Sequence, residues 1–315
     1  MSELSRSVPS ATSVLAESVR RYRRGFPGVA RAFLPVFAIF AIGQIGLALW
    51  GEADTFGGLL ARAGVLAGVG ILEIVSQLLA TGGVIASSED LPRASARSIY
   101  RRGARVFWPT AWVAILAALA FSVAPVVARL VSPYLIRLAG TVSVWFFGGS
   151  YDVAVTVALG AVAGLAIVVA ILTLVLLEKL VFALALVSTG VSRGLRALEM
   201  SAGLSEGRSW LVGSRLAAGF AATALVLAPF VMVLAATAAP NIAISASPWA
   251  WSLFAAGYLL AAIPFCAIFL GHLTEVLRDS AAEKAAARES RPWVRWLVWA
   301  GAAAWAVIIL RGLIG

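Results

Sequence analysis

Residues 188–229, STGVSRGLRALEMSAGLSEGRSWLVGSRLAAGFAATALVLAP, decide how the rest of the chain is read. The first half is basic and amphipathic. Val191, Leu195, Leu198 and then Gly203 and Leu204 recur at helical spacing, with Arg193, Arg196 and Glu199 on the polar side. This pattern predicts a helix lying along a membrane surface. Gly203 and Gly207 are expected to allow a bend, and Trp210 to anchor the start of the next span. The second half is an apolar run long enough to enter a bilayer. The same order, a basic amphipathic piece and then an apolar span, recurs three times, with spans near 32–50, 107–130 and 293–313.

Composition agrees with that reading. Hydrophobic residues make up 61% and charged residues 13% of the 315 positions, and the mean hydropathy is +0.95. A soluble domain carries about 25% charged residues. The expected fold is therefore all-α, a polytopic transmembrane helix bundle of about seven spans with additional basic interfacial helices. The net charge of +10 does not point to nucleic acid, because the basic residues form short clusters between apolar runs and no separate basic domain exists. Positive-inside bias and attraction to anionic headgroups account for it. The one cysteine, Cys266, lies in an apolar run, so an intrachain disulfide and CxxC chemistry are excluded.

Outward from the opening stretch, the spans are expected at 32–50, 57–86, 107–130, 153–187, 216–238, 249–273 and 293–313. Residues 1–31 form a basic amphipathic segment that Pro27-Gly28 should break, 32–278 a six-span membrane domain, and 279–315 a charged linker and seventh span. Ser88 or Asp90 is expected to cap a helix beginning near Pro92. Residues 131–150 read as an irregular outer interfacial segment. The run 153–187 is too long for a hydrocarbon core of about 30 Å, so it must tilt, break or protrude. Of the 25 Lys and Arg residues, six fall before span one, five after span two, four between spans four and five, and five before span seven. Twenty on one side predicts a plasma (inner) membrane protein with a cytosolic N-terminus and an outside C-terminus.

Two recurrences stand out. YRRG occurs at Tyr22–Gly25 and at Tyr100–Gly103, each before an odd-numbered span and each followed by a proline, Pro35 or Pro109. This suggests repeated helix-pair units, although any inner linker of this chain would be rich in arginine. Gly64 with Gly68 and Gly160 with Gly164 spell GxxxG, which permits close helix approach.

Ala197-Leu198, Ser201, Leu204, Gly207-Arg208 and Trp210 form a pattern of an apolar span, then Ala-Leu-x-x-Ser-x-x-Leu-x-x-Gly, then a basic or aromatic residue and the next span. It resembles a signature of small polytopic membrane domains, one branch of which is fused to glycerophosphodiester phosphodiesterases while others stand alone. The resemblance implies a six-span membrane domain over roughly residues 20–278 and carries no catalytic residues with it. The seventh span departs from that pattern.

Chemistry inside the spans centres on Glu73, with Ser76 and Gln77 on the same helix face. A charge at midplane costs about 2.5–3.5 kcal/mol on insertion scales, so this carboxyl should face the bundle or be protonated. Gln77 and Gln44 are the expected neutral partners, and Glu178-Lys179 is a second polar pair nearer the inner surface. Enzyme motifs are absent: there is no HExxH, GxSxG or GxxxxGK[ST]. His272 with Glu275 reads as an interfacial pair, and Asp152 is the one aspartate near a span. No cofactor or metal is expected. The expected partners are membrane lipids, with anionic headgroups at the cytosolic face. Three functions remain at this stage: a non-enzymatic lipid-associated, scaffold or accessory protein; a small transporter with a polar pocket around Glu73; or an intramembrane lipid-modifying enzyme. Scaffold or accessory is the reading preferred.

Overall fold

In the computed structural model, residues 9–50, 56–147, 151–237, 248–279 and 291–314 are described. The expected acidic loop after span one, the loop before span six and most of the linker before span seven lie outside them. The elements run α1 (Ala11–Trp50), α2 (Phe56–Ile85), a 3-10 turn (Leu91–Arg93), α3 (Ala96–Phe147), α4 (Tyr151–Leu180), α5 (Ala183–Ser188), α6 (Leu195–Ser205), α7 (Ser209–Thr237), α8 (Pro248–Gly257), a π turn (Tyr258–Ala262), α9 (Ile263–Arg278) and α10 (Pro292–Ile314). Among the described residues no strand occurs, and seven helices are long and apolar enough to cross a membrane. The all-α bundle read from the sequence is the fold. The basic connectors gather at one end of it, hereafter the basic end.

Three boundaries differ from the sequence reading. First, α1 does not break at Pro27-Gly28 but runs through Pro27 and Pro35. A proline removes the hydrogen bond to the carbonyl four residues back. Here those carbonyls belong to Arg23 and Arg31, both exposed, so polar surroundings can satisfy them. Second, 131–147 is not irregular but continues α3 through Pro133. The Ser132 hydroxyl donates to the Arg129 carbonyl at 3.3 Å, the group that Pro133 leaves without an N–H. At 1.5 Å per residue this 52-residue helix is about 78 Å long, far beyond a hydrocarbon core of about 30 Å. Third, Ser95 caps α3: its hydroxyl accepts the Ser98 N–H at 3.2 Å. Ser88 instead donates to Glu275, and Asp90 pairs with Arg102.

The fourth apolar run resolves its excess length by breaking. α4 ends at Leu180, and after a two-residue turn the chain forms α5, only six residues long. α5 (ALALVS) is apolar nearly all round, as a helix surrounded by protein must be. Ala185 joins a core with Phe33, Val36, Val84 and Ile268. Ala183 and Val187 join a second with Val113, Leu116, Leu198 and Val294. Phe182, just before α5, and Leu186 join a third with Val14, Val212, Phe269 and Leu273. This short helix therefore contributes to all three cores and packs directly on α2, α3, α6 and α9. Gly190 (φ 75°) stops it, and the Val191 N–H reaches back to the Leu186 carbonyl at 3.0 Å.

All three cores lie in the basic half of the bundle. Toward the other end, large apolar side chains of α2, α3, α4 and α7 are exposed, among them Leu59, Ile71, Ile136, Leu159 and Leu225. The GxxxG glycines lie in that open half. A methyl group placed on Gly64, Gly68, Gly160 or Gly164 would meet nothing within 4 Å, so among the described residues these pairs mediate no helix contact. Close approach occurs elsewhere. A Cβ on Gly103 would strike the Leu79 carbonyl, one on Gly83 the Ile99 carbonyl, one on Gly28 the Ala94 carbonyl, and one on Gly301 the Leu119 carbonyl.

Both YRRG copies pack against other elements. Gly25 of the first copy sits against the Leu91 side chain, and Gly103 of the second against the α2 backbone. Each tyrosine donates its hydroxyl to a carbonyl of another element: Tyr100 to Ala32 at 2.6 Å, Tyr22 to Leu260 at 3.4 Å.

Candidate functional site

The motif helix α6 forms as the periodicity requires, but it is enclosed by protein. Ala197, Leu198, Ser201 and Leu204 are buried. The central feature is Ser201. Where α4 breaks, backbone groups lose their helical partners. The Ser201 hydroxyl donates to the Lys179 carbonyl at 2.8 Å and accepts the Phe182 N–H at 3.2 Å, which closes the break from outside. Glu199, expected on the water-facing side, is instead only 4% exposed and takes Arg295 of α10 at 2.6 Å. Glu206, just past α6, pairs with Arg291. Two ion pairs thus link the α6 segment to the start of α10, which otherwise packs on α3. Gly207 (φ 69°) makes the turn into α7, whereas Gly203 is helical and makes no bend. Arg208 is half-buried in that turn. Trp210 is 88% exposed, and Trp296 and Trp299 of α10 are exposed as well.

The six residues grouped as a polar pocket separate into two places. Lys179 lies 3.6 Å from Glu178 and donates to Ser209 at 2.9 Å and to the Ser205 carbonyl at 3.4 Å. Glu178 lines a cleft of about 280 Å³ between α4 and α7, with Leu174, Gly213, Leu216 and Phe220. Gln44 and Glu73 line a different cleft, of about 400 Å³, with Phe40, Phe254, Ala255, Tyr258 and Leu259. Their predicted mutual hydrogen bond is not formed. Among the described residues Glu73 has no hydrogen-bond or ion-pair partner. Ser76 donates into its own helix, to the Leu72 carbonyl at 2.7 Å, and Gln77 is half-buried outside the cleft lining.

The wall opposite Glu73 has an identifiable local cause. Pro264 has no N–H, so the Leu260 carbonyl loses its α-helical donor. The backbone responds with a π turn over Tyr258–Ala262, in which the Ile263 N–H reaches the Tyr258 carbonyl. The freed Leu260 carbonyl is taken up by the Tyr22 hydroxyl. π turns are frequent at functional sites. This one sets Tyr258 and Leu259 into the cleft, and the Tyr258 ring stacks on Phe254 with centroids 6.2 Å apart.

A third constellation was not assembled from the sequence. Glu275 of α9 accepts from Arg21 of α1 at 2.8 Å and from Ser88, after α2, at 2.5 Å. His272 Nδ1 lies 3.6 Å from Glu275, too far for a hydrogen bond but within ion-pair reach when the imidazole is protonated, and it has no hydrogen-bond partner among the described residues. Arg21 also approaches Glu17 at 3.4 Å, and Glu17 holds Arg20 at 2.6 Å. The pair read as merely interfacial, His272 and Glu275, is thus half of a partly buried ion-pair network. Its Arg21–Glu275 bond joins residues 254 apart, and no local spacing announces it. Among the described residues no group of three His, Cys, Asp or Glu side chains is placed to hold a metal. No protein-family model, curated protein or solved structure matches the chain.

Proposed function

We propose that this chain is a non-enzymatic integral protein of the plasma (inner) membrane, with a lipid-associated, scaffold or accessory role. Its N-terminus is cytosolic and its C-terminus outside in this reading. One observation carries it. Three arginines of the basic end are held in structural pairs (Arg21–Glu275, Arg295–Glu199, Arg291–Glu206), while Arg20, Arg23 and Arg24 of α1 are exposed, Arg20 beside Glu17 at 2.6 Å. These three, with Ala16 and Val19, line a surface groove of about 510 Å³. At the headgroup level, where this reading puts it, such a groove suits an anionic lipid. The resemblance of the α6 segment to membrane domains that accompany glycerophosphodiester phosphodiesterases fits an accessory role.

The test is thermal stability in nanodiscs of phosphatidylglycerol against phosphatidylcholine. The wild type should melt higher in the anionic lipid, and R20Q/R23Q/R24Q should lose most of that difference. Equal melting of the wild type in both lipids counts against the reading. A second reading, a small transporter, is favoured by one observation, the cleft that reaches Glu73 within a span.

A further inference from the structure

The Glu73 cleft has a chemistry of its own. Its lining combines one carboxylate and one amide (Gln44) with three aromatic rings, Phe40, Phe254 and Tyr258. Phe254 and Tyr258 are nearly parallel, with an interplanar angle of 6°, and form one aromatic wall. Glu73 lies 12 residues from the nearer end of α2, about 18 Å along the helix. In a bilayer this puts it inside the spanning part of α2, and the carboxylate has no cationic partner among the described residues.

Such a site selects its ligand on three grounds. The unpaired carboxylate inside a span favours a positive charge, because pairing offsets its desolvation. Divalent inorganic cations are poorly served: calcium needs six to eight oxygen ligands and magnesium an octahedron, against one carboxylate and one amide oxygen here. Aromatic faces attract organic cations, by about 0.5–2 kcal/mol per contact. The volume of about 400 Å³ falls in the range of small-molecule sites, about 300–1,000 Å³. The cleft is bordered by spanning helices, so an apolar cation can reach it from the bilayer.

We propose that the cleft between α1, α2 and the α8–π turn is a binding site for monovalent lipophilic organic cations, with Glu73 as counter-ion and Phe40, Phe254 and Tyr258 as aromatic walls. This deepens the transporter reading but requires only binding.

The test uses the full chain in detergent, with tetraphenylphosphonium titrated calorimetrically. One saturable site per chain is expected. E73Q should weaken it at least tenfold, and Y258A should weaken it severalfold. E178Q, which removes the carboxylate of the other cleft, should leave it unchanged. Uncharged triphenylphosphine oxide should show no preference for the wild type over E73Q. The proposal is overturned if tetraphenylphosphonium does not saturate, if folded E73Q and Y258A both bind it as the wild type does, or if the neutral analogue binds as tightly as the cation. Uptake into liposomes decides the transporter reading separately. Saturable binding without uptake keeps the site and removes transport.

Discussion

At the scale of single residues, buried polar groups are informative because each needs a partner. Ser201 supplies both a donor and an acceptor to a broken helix, and it is fully buried. Ser201→Ala leaves the Lys179 carbonyl and the Phe182 N–H unpaired in a dry setting. An unsatisfied buried group costs about 1–3 kcal/mol, so the variant should melt several degrees lower in detergent. Trp210→Ala, at an 88% exposed position, should leave the melting temperature near that of the wild type. Equal melting of Ser201→Ala and the wild type would mean that the α4–α5 break is held by packing alone. Glu275→Gln tests the second network. The amide keeps the shape but removes the charge that Arg21 faces at 2.8 Å. Both side chains are partly exposed, at 23% and 15%, so the loss is that of a charged hydrogen bond, about 1.5–3 kcal/mol, rather than that of a fully buried pair. Chemical denaturation of the two proteins side by side measures it.

At the scale of helices, what matters is where backbones come close. Gly103 and Gly83 allow α2 and α3 to touch through their main chains. Gly103→Ala forces these helices apart and should lower stability by more than about 1 kcal/mol, in the range of overpacked cores. Gly64→Ala and Gly68→Ala meet open space and gain helix propensity of about 1 kcal/mol each. They should be neutral or stabilising in detergent. The sequence could not rank these glycines, because GxxxG records spacing and not what stands opposite. It revealed the spans, the basic connectors and the strain of an overlong fourth run, since those arise from local hydropathy and length. It did not reveal α5, which has the same apolar letters as the helix before it. Glu73 was legible as a carboxyl in an apolar run. Its aromatic wall was not, because Phe254 and Tyr258 reach it through a fold contact and a π turn. Pro264, four residues after Leu260, was the one local sign that the helix had to change pitch there.

At the scale of the whole molecule, packing and charge share one polarity. The three buried cores, the ion pairs and α5 lie at the end that holds the arginine clusters, while the opposite half offers apolar side chains to its surroundings. A bilayer supplies an apolar medium for the open half but cannot solvate the basic end. In the proposed topology the arginine-rich end is therefore the one to remain on the cytosolic side, by positive-inside bias. α1 starts at that end, and seven alternating spans carry α10 away from it. A reporter active only outside the cytoplasm, fused after Gly315, should be active, and one placed at Asp90, in the connector after α2, should be silent. Moving the first fusion to Arg291, before α10, should silence it, since only the last span then changes sides. Activity of the Arg291 fusion together with silence at Gly315 would invert the topology. Silence at all three sites would leave α10 on the cytosolic side, where its two ion pairs to the α6 segment would serve as a cytosolic brace rather than as the anchor of a seventh span.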